Sequence, residues 1–199
     1  MYPDIIVKTI ESFKKFNGIG EKTAERLALS VLEMSKEDVE LFSEYIVELK
    51  KNINRCNICG HITDNDVCNI CINKFRKDNI ICVVEDYKSV IMFEKTGNYE
   101  GKYHVLNGVI SPIDGITPDE LNINSLIERI AKNSGNDTEI IIALKPSIEG
   151  EATTLYLKKI LEEYNVKITR LSYGIPMGVE IDYLDSITLD RALKDRKDI

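Results

Sequence analysis

The chain has 199 residues, 43% of them apolar and 30% charged, with a formal net charge of −7. That size suits one full domain plus a small accessory module, and that composition an ordinary soluble globular protein. The acidic balance by itself argues against nucleic acid, the N-terminus shows no secretory pattern, and the longest apolar run, 140–144, is far too short to span a bilayer.

Residues 1–55 read as helices. Across 21–33, Ala24, Leu27, Ala28 and Val31 recur at helical spacing and make one apolar stripe. Ser35 then looks like the N-cap of a restart, with Glu37 and Asp38 in its first turn and Leu41, Tyr45, Ile46 and Leu49 continuing it. Residues 56–79 hold a cysteine module too short and polar to own a core, so it needs a staple. From residue 80 onward strand and helix signals alternate. Strands are expected at 80–84, 103–106, 139–144 and 166–171, with helices at 86–94, 123–132 and 151–164 between them. The pattern predicts an α/β domain with a parallel sheet over 80–175. A last segment, 176–199, ends in a short helix at 189–194.

Charge is uneven along these blocks. Residues 81–199 hold 14 Lys and Arg against 20 Asp and Glu, so nearly all the excess acid lies behind the cysteines. Salt screens charges over about 10 Å at 0.1 M, so an acidic half does not veto a basic face on the other half.

The most specific local signal is CNICGHITDNDVCNIC, residues 56–71. In a cytosolic protein, the default here, thiols stay reduced, which disfavours a disulfide and makes the Asn136-Asp137-Thr138 sequon a chance match. Two Cys-x-x-Cys turns supply four soft ligands, and the spacing predicts zinc on Cys56, Cys59, Cys68 and Cys71. A closed set of four thiolates leaves no open position, so the metal is expected to be structural. A redox role suits one such pair better than two facing pairs. His61, inside the loop, reads as a bystander, and Cys82 as a small buried hydrophobe. The module is expected to act as a rivet between the helical block and the acidic one.

Ahead of the first stripe stands Phe16-Asn17-Gly18-Ile19-Gly20. Two glycines let the backbone turn tightly, and the following helix N-terminus adds unpaired N–H groups suited to a phosphate. Lys22 and Arg26, four apart, lie opposite the apolar stripe and face outward. On the local pattern alone, solvated cations on an amphipathic helix remain the plain alternative. A run resembling a P-loop, Gly97 to Tyr103, has one residue too few between its glycines and Tyr after Lys, and reads as a turn.

The stretch Gly18-Ile19-Gly20-Glu21-Lys22-Thr23-Ala24-Glu25-Arg26-Leu27-Ala28 resembles the helix-hairpin-helix of the RecR family of bacterial recombination mediators. The resemblance continues in order through the four cysteines, Cys82-Val83-Val84-Glu85 and Tyr103-His104-Val105-Leu106-Asn107-Gly108. It then takes in Ser111-Pro112-Ile113-Asp114-Gly115, Glu149-Gly150-Glu151-Ala152-Thr153 and Gly174-Ile175-Pro176-Met177-Gly178. It implies an α+β, multidomain chain: an N-terminal helix-hairpin-helix over 1–55, a Cys₄ zinc finger over 56–79, a Toprim-like α/β domain over 80–175 and a C-terminal segment. It also implies a ring-like homotetramer in the bacterial cytoplasm, associated with the nucleoid. Its partners would be DNA, single-stranded and gapped, and RecO- and RecF-type proteins, in DNA repair that loads RecA onto single strands. Gly18, Ile19, Gly20, Lys22 and Arg26 become the expected DNA contacts, and Glu85 and Glu149 expected partner contacts. The family's usual Leu-Pro before Gly-Ile-Gly is Phe16-Asn17 here, which costs the hairpin some rigidity.

Toprim enzymes hold Mg²⁺ with a Glu after the first strand and an Asp-x-Asp pair after a later one. Glu85 matches the first position. The later strand runs into Lys145-Pro146-Ser147, with neither Asp. The expectation is therefore a protein without enzymatic activity. The alternatives are a Mg²⁺-dependent nuclease or primase, and a zinc- or redox-linked scaffold with no role on DNA.

Overall fold

The computed structural model describes residues 2–132, 137–172, 174–175 and 177–196. Asn136 of the sequon and Pro176 of the Gly174–Gly178 motif lie outside the described residues. The chain divides into two compact units, Met1–Ile53 and Asn54–Ile199.

The first unit holds three helices: α1 (Asp4–Phe13), α2 (Glu21–Leu32) and α3 (Lys36–Asn52). Its core is small. Ile10 of α1 is buried against Ala24 and Ala28 of α2, with Ile6, Phe13 and Ile19 packed around them. Two alanines one turn apart let α1 approach α2 closely, while Leu27 and Val31 stay half-buried. Ser35 caps α3 as expected, its Oγ accepting the Asp38 N–H at 3.1 Å, a contact worth about 1 kcal/mol. No residue of α3 is buried, and Leu41, Phe42, Tyr45 and Leu49 all stay exposed.

The second unit opens with a two-stranded antiparallel ladder, β1 (Asn54–Arg55) against β2 (Ile62–Thr63), and a short helix α4 (Asn69–Ile72). A parallel four-stranded sheet follows: β3 (Lys77–Val84), β4 (Gly101–Val105), β5 (Glu139–Ala143) and β6 (Lys167–Arg170), in the order β4-β3-β5-β6. Helices α5 (Tyr87–Lys95), α6 (Ile123–Lys132) and α7 (Ile148–Leu161) accompany the strands, and α8 (Ser186–Lys194) comes last.

The continuous apolar run of β3 is explained by burial on both faces. Ile81 and Val83 share a core with Leu126 and Ile130 of α6, Ile142 of β5, and Leu157 and Leu161 of α7. The alternate residues, Cys82 and Val84, pack with Val90 of α5 and with Tyr103 and Val105 of β4. Burial pushes the Cys82 thiol up to about 12, which keeps it an inert hydrophobe. His104 of β4 is fully buried; its Nε2 lies 2.7 Å from the Asn122 carbonyl oxygen, and burial lowers its pKa to about 4. β3 has β4 on one side and β5 on the other, so the winding reverses at β3 and β5. The carboxyl ends of those two strands flank the crevice where open α/β sheets bind ligands. No helix among the described residues is long and apolar enough to cross a membrane.

Candidate metal centre and nucleic-acid interface

The hairpin lies between α1 and α2. Phe16 O accepts the Ile19 N–H at 3.1 Å, and Gly18 sits at φ +83°, where a side chain is strained. Ile19 therefore holds the turn through its own amide and through its packing on the Ile10–Ala24–Ala28 core. Gly20 differs. It is the N-cap of α2 with φ −86°, open to any residue, and a Cβ there would meet no heavy atom within 4 Å. Nothing among the described residues requires glycine at this position.

Lys22 and Arg26 are exposed on α2, and neither has an acidic partner among the described residues. The neighbouring acids are held elsewhere. Glu21 pairs with Lys14 at 2.7 Å, and the Tyr2 hydroxyl donates to Glu25 at 2.7 Å. The two cations flank a helix N-terminus whose own partial charge is positive.

In the second unit Cys56, Cys59, Cys68 and Cys71 are all buried, and their sulfurs lie within 4.8 Å of one another. They form the only potential metal-binding cluster of three or more such groups among the described residues. The loops are built to converge. Gly60, at φ +74°, turns the chain straight after Cys59; its N–H donates to Cys56 O at 2.9 Å, and the Cys68 N–H donates to Cys56 Sγ at 3.3 Å. Hydrogen bonds from Cys59 and then Cys71 push the Cys68 thiol down, while the bond with Cys68 pushes Cys59 up. Four sulfurs so close together hold one thiolate readily and a full set only around a cation. The donor set fits a thiophilic divalent ion in a closed shell. His61 stays outside the cluster; it serves the loop with its carbonyl, which accepts the Cys56 N–H at 2.7 Å.

The finger is fastened to the sheet. β4 is an edge strand, and its outer hydrogen-bonding groups are capped one by one. The Val105 N–H donates to Cys59 O at 2.7 Å, Asn122 Nδ2 donates to Val105 O at 3.1 Å, and Arg129 Nη1 donates to Tyr103 O at 2.7 Å. Lys102 Nζ, nearly buried, donates to Cys71 O at 2.6 Å and pairs with Asp78 at 2.7 Å. A Cβ on Gly60 would sit 2.9 Å from Asn122 Nδ2 and 3.0 Å from Val105 O. Gly60 and Lys102 are functional residues outside the set expected from the sequence. A glycine directly behind the second cysteine was the visible signal for the first, and nothing local marks Lys102.

At the crevice, Glu85 follows β3 and Lys145 follows β5, and their side chains pair at 3.4 Å. The lysine thus takes the position of a second carboxylate, and the residues present do not fit a Mg²⁺ site. Glu149 lies in the first turn of α7, where its bond with Ser147 holds its carboxyl below the usual range. Glu151 pairs with Arg170 at 3.6 Å and Arg191 at 3.5 Å, so it ties α7 to β6 and α8. The expected sites thus fall into three separate places: the hairpin in the first unit, and the thiol cluster and strand-tip acids in the second.

Comparison with known proteins places these parts together. Residues 6–50 match the family model described as RecR, helix-hairpin-helix; residues 79–172 match the Toprim domain; residues 174–197 match RecR, C-terminal. Recombination protein RecR from Staphylococcus aureus strains JH9, Mu50 and USA300 is 46% identical over 198 residues, covering 100% of this chain and 99% of each relative. With bare hairpin, four-thiol finger and Toprim sheet in this order, the chain belongs to the RecR family of recombination proteins.

Proposed function

We propose that this chain is a DNA-binding recombination mediator that performs no chemistry of its own. It acts with RecO- and RecF-type partners to promote RecA loading on single-stranded DNA at gaps, in the bacterial cytoplasm at the nucleoid. The observation that carries the DNA-binding reading is Gly20, bare on its outer side between the turn and two exposed cations. A phosphate approaching there meets backbone at Gly18 and Gly20 and charge at Lys22 and Arg26, with Ile19 keeping the hairpin in shape. Such contacts hold the backbone and read no bases.

The other parts support that role. Cys56, Cys59, Cys68 and Cys71 hold one structural Zn²⁺, whose tetrahedral preference their spacing meets. Residues 1–55 work on DNA, 56–79 brace the sheet, and 80–175 with 176–199 serve partners and assembly. The paired Glu85 and the first-turn Glu149 are the acids offered to a protein partner. Self-association into a tetrameric ring needs two contacts per subunit. Two exposed apolar surfaces support it: Leu41, Tyr45 and Leu49 on α3, and Met177, Tyr183 and Leu193 toward the C-terminus. A ring multiplies a few weak phosphate contacts through effective concentration.

Replacing Lys22 and Arg26 with alanine weakens binding to gapped DNA and lowers the slope of log affinity against log salt by about two. Fluorescence anisotropy across a salt series reads both. Undiminished binding at low salt contradicts the assignment.

A further inference from the structure

Phe75 lies between the finger and β3 and is 98% exposed, although the turn that carries it is firmly built. Asn73 Oδ1 accepts the Phe75 N–H at 2.9 Å, and Asn73 O accepts the Arg76 N–H at 3.3 Å. Arg76 roots the turn in the body of the unit. Its guanidinium grips both carboxylate oxygens of Glu94, at 3.0 and 2.5 Å, and donates to Gly101 O at 3.1 Å. A large apolar ring on a loose loop folds back onto the surface to escape water. Here the backbone is pinned and the ring projects into water.

Its surroundings are cationic. Lys74 precedes it and has no acidic partner among the described residues. Lys77 pairs with Glu100 at 2.7 Å, with both side chains largely in solvent, so a phosphate can take the carboxylate's place. The remaining nearby acids, Glu94 and Asp78, are committed to Arg76 and Lys102. A single presented ring flanked by lysines suits a flat, unpaired base followed by its phosphates. A duplex keeps its bases stacked and offers no such face, and although Ile72 is also exposed on this segment, the flanking lysines favour a strand's phosphates over a protein's apolar surface.

We infer that Phe75 is a stacking platform for one base of single-stranded DNA, with Lys74 and Lys77 on the adjoining phosphates. This contact is additional to the hairpin and rests on the DNA-binding reading above.

The full chain contains no tryptophan, so Phe75→Trp introduces a single fluorophore at the site. Its emission is expected to be quenched by an oligothymidylate at low salt and not by an abasic strand of equal length. Phe75→Ala is expected to lower oligothymidylate affinity about tenfold and to leave fully duplex DNA within about twofold. If the unaltered chain binds the labelled strand, yet the indole emission of Phe75→Trp is unchanged and Phe75→Ala binds equally well, this inference fails alone and the hairpin reading stands. If the unaltered chain binds neither strand nor duplex, both fail. A change of oligomer mass in Phe75→Ala by light scattering, without a base-dependent loss of binding, assigns the ring to a subunit contact and likewise overturns the inference.

Discussion

The two units of this chain spend their residues in opposite ways. In Met1–Ile53, three of the described residues are buried, α3 lies open to solvent, and the hairpin leaves one glycine bare beside two cations with no acidic partner among the described residues. In Asn54–Ile199, polar groups at the seam of finger and sheet are matched, while His61 Nδ1 and His104 Nδ1 are buried without a hydrogen-bond partner among the described residues. The outer edge of β4 is capped by Cys59, Asn122 and Arg129, buried Lys102 has two partners, and Glu85 pairs with Lys145. The crevice at the ends of β3 and β5 holds the Glu85–Lys145 ion pair. A turn with bare backbone and uncommitted charge is the contact surface proposed above for DNA. On the reading proposed above, the hairpin contact with DNA lies in the sparsely packed unit, and the larger unit adds the Phe75 contact, stability and partner surface.

That contrast breaks most severely at the metal centre. Cys59→Ser removes a ligand and disturbs the carbonyl that caps Val105. The finger's only apolar core is those cysteines with Val67 and Ile70 packed against them, so loss of the proposed zinc and of stability on the order of 5 kcal/mol or more is expected. Metal analysis together with urea unfolding checks it; a metal-free variant of unchanged stability shows that the finger braces nothing.

The next effect is set by pH. His104 titrates near pH 4 when folded and near 6.5 when unfolded, so its neutral form belongs to the native state. The stability it contributes is fully present above pH 6.5 and is lost as pH falls toward 4, by about 3 kcal/mol in total. Unfolding series across that window, compared with His104→Gln, isolate the histidine. An equal slope in both proteins removes it as the cause.

Gly60→Ala probes the seam between finger and sheet. The new Cβ presses on Asn122 Nδ2 and Val105 O and meets a positive φ, so a loss of about 2 kcal/mol is expected with all four cysteines still present. Thermal unfolding reads it, and an unchanged midpoint would mean that the finger stands off the sheet.

Much of this was legible in the sequence because it rests on local chemistry. The run Ile80 to Val84 announces a buried strand, the two Cys-x-x-Cys pairs announce a four-thiol site, and Ser35 announces the start of α3. Boundaries set by side chains at a distance were less visible. β3 begins at Lys77, three residues before its apolar run, because Lys77 pairs in register with Gly101. α7 begins at Ile148 because Ser147 caps it by accepting the Gly150 N–H, and α8 begins at Ser186 because Asp185 caps it. Sheet order was not legible, since it depends on which strands meet after folding. Nor was the exposure of α3, whose apolar spacing is that of a buried helix but which buries no residue.

The smallest structural change tests the central claim most directly. Gly20→Ser places a preferred cap at the start of α2, where a side chain meets nothing and φ is unrestrictive, so stability should hold or rise by a few tenths of a kcal/mol. If the glycine is bare so that a phosphate can approach, the same change weakens DNA binding, by roughly tenfold for one lost close contact. Unfolding and anisotropy measured on one preparation should therefore move in opposite directions. A Gly20→Ser protein that is equally stable and binds DNA as tightly as the unaltered chain contradicts the assignment of the hairpin as the DNA-contacting surface.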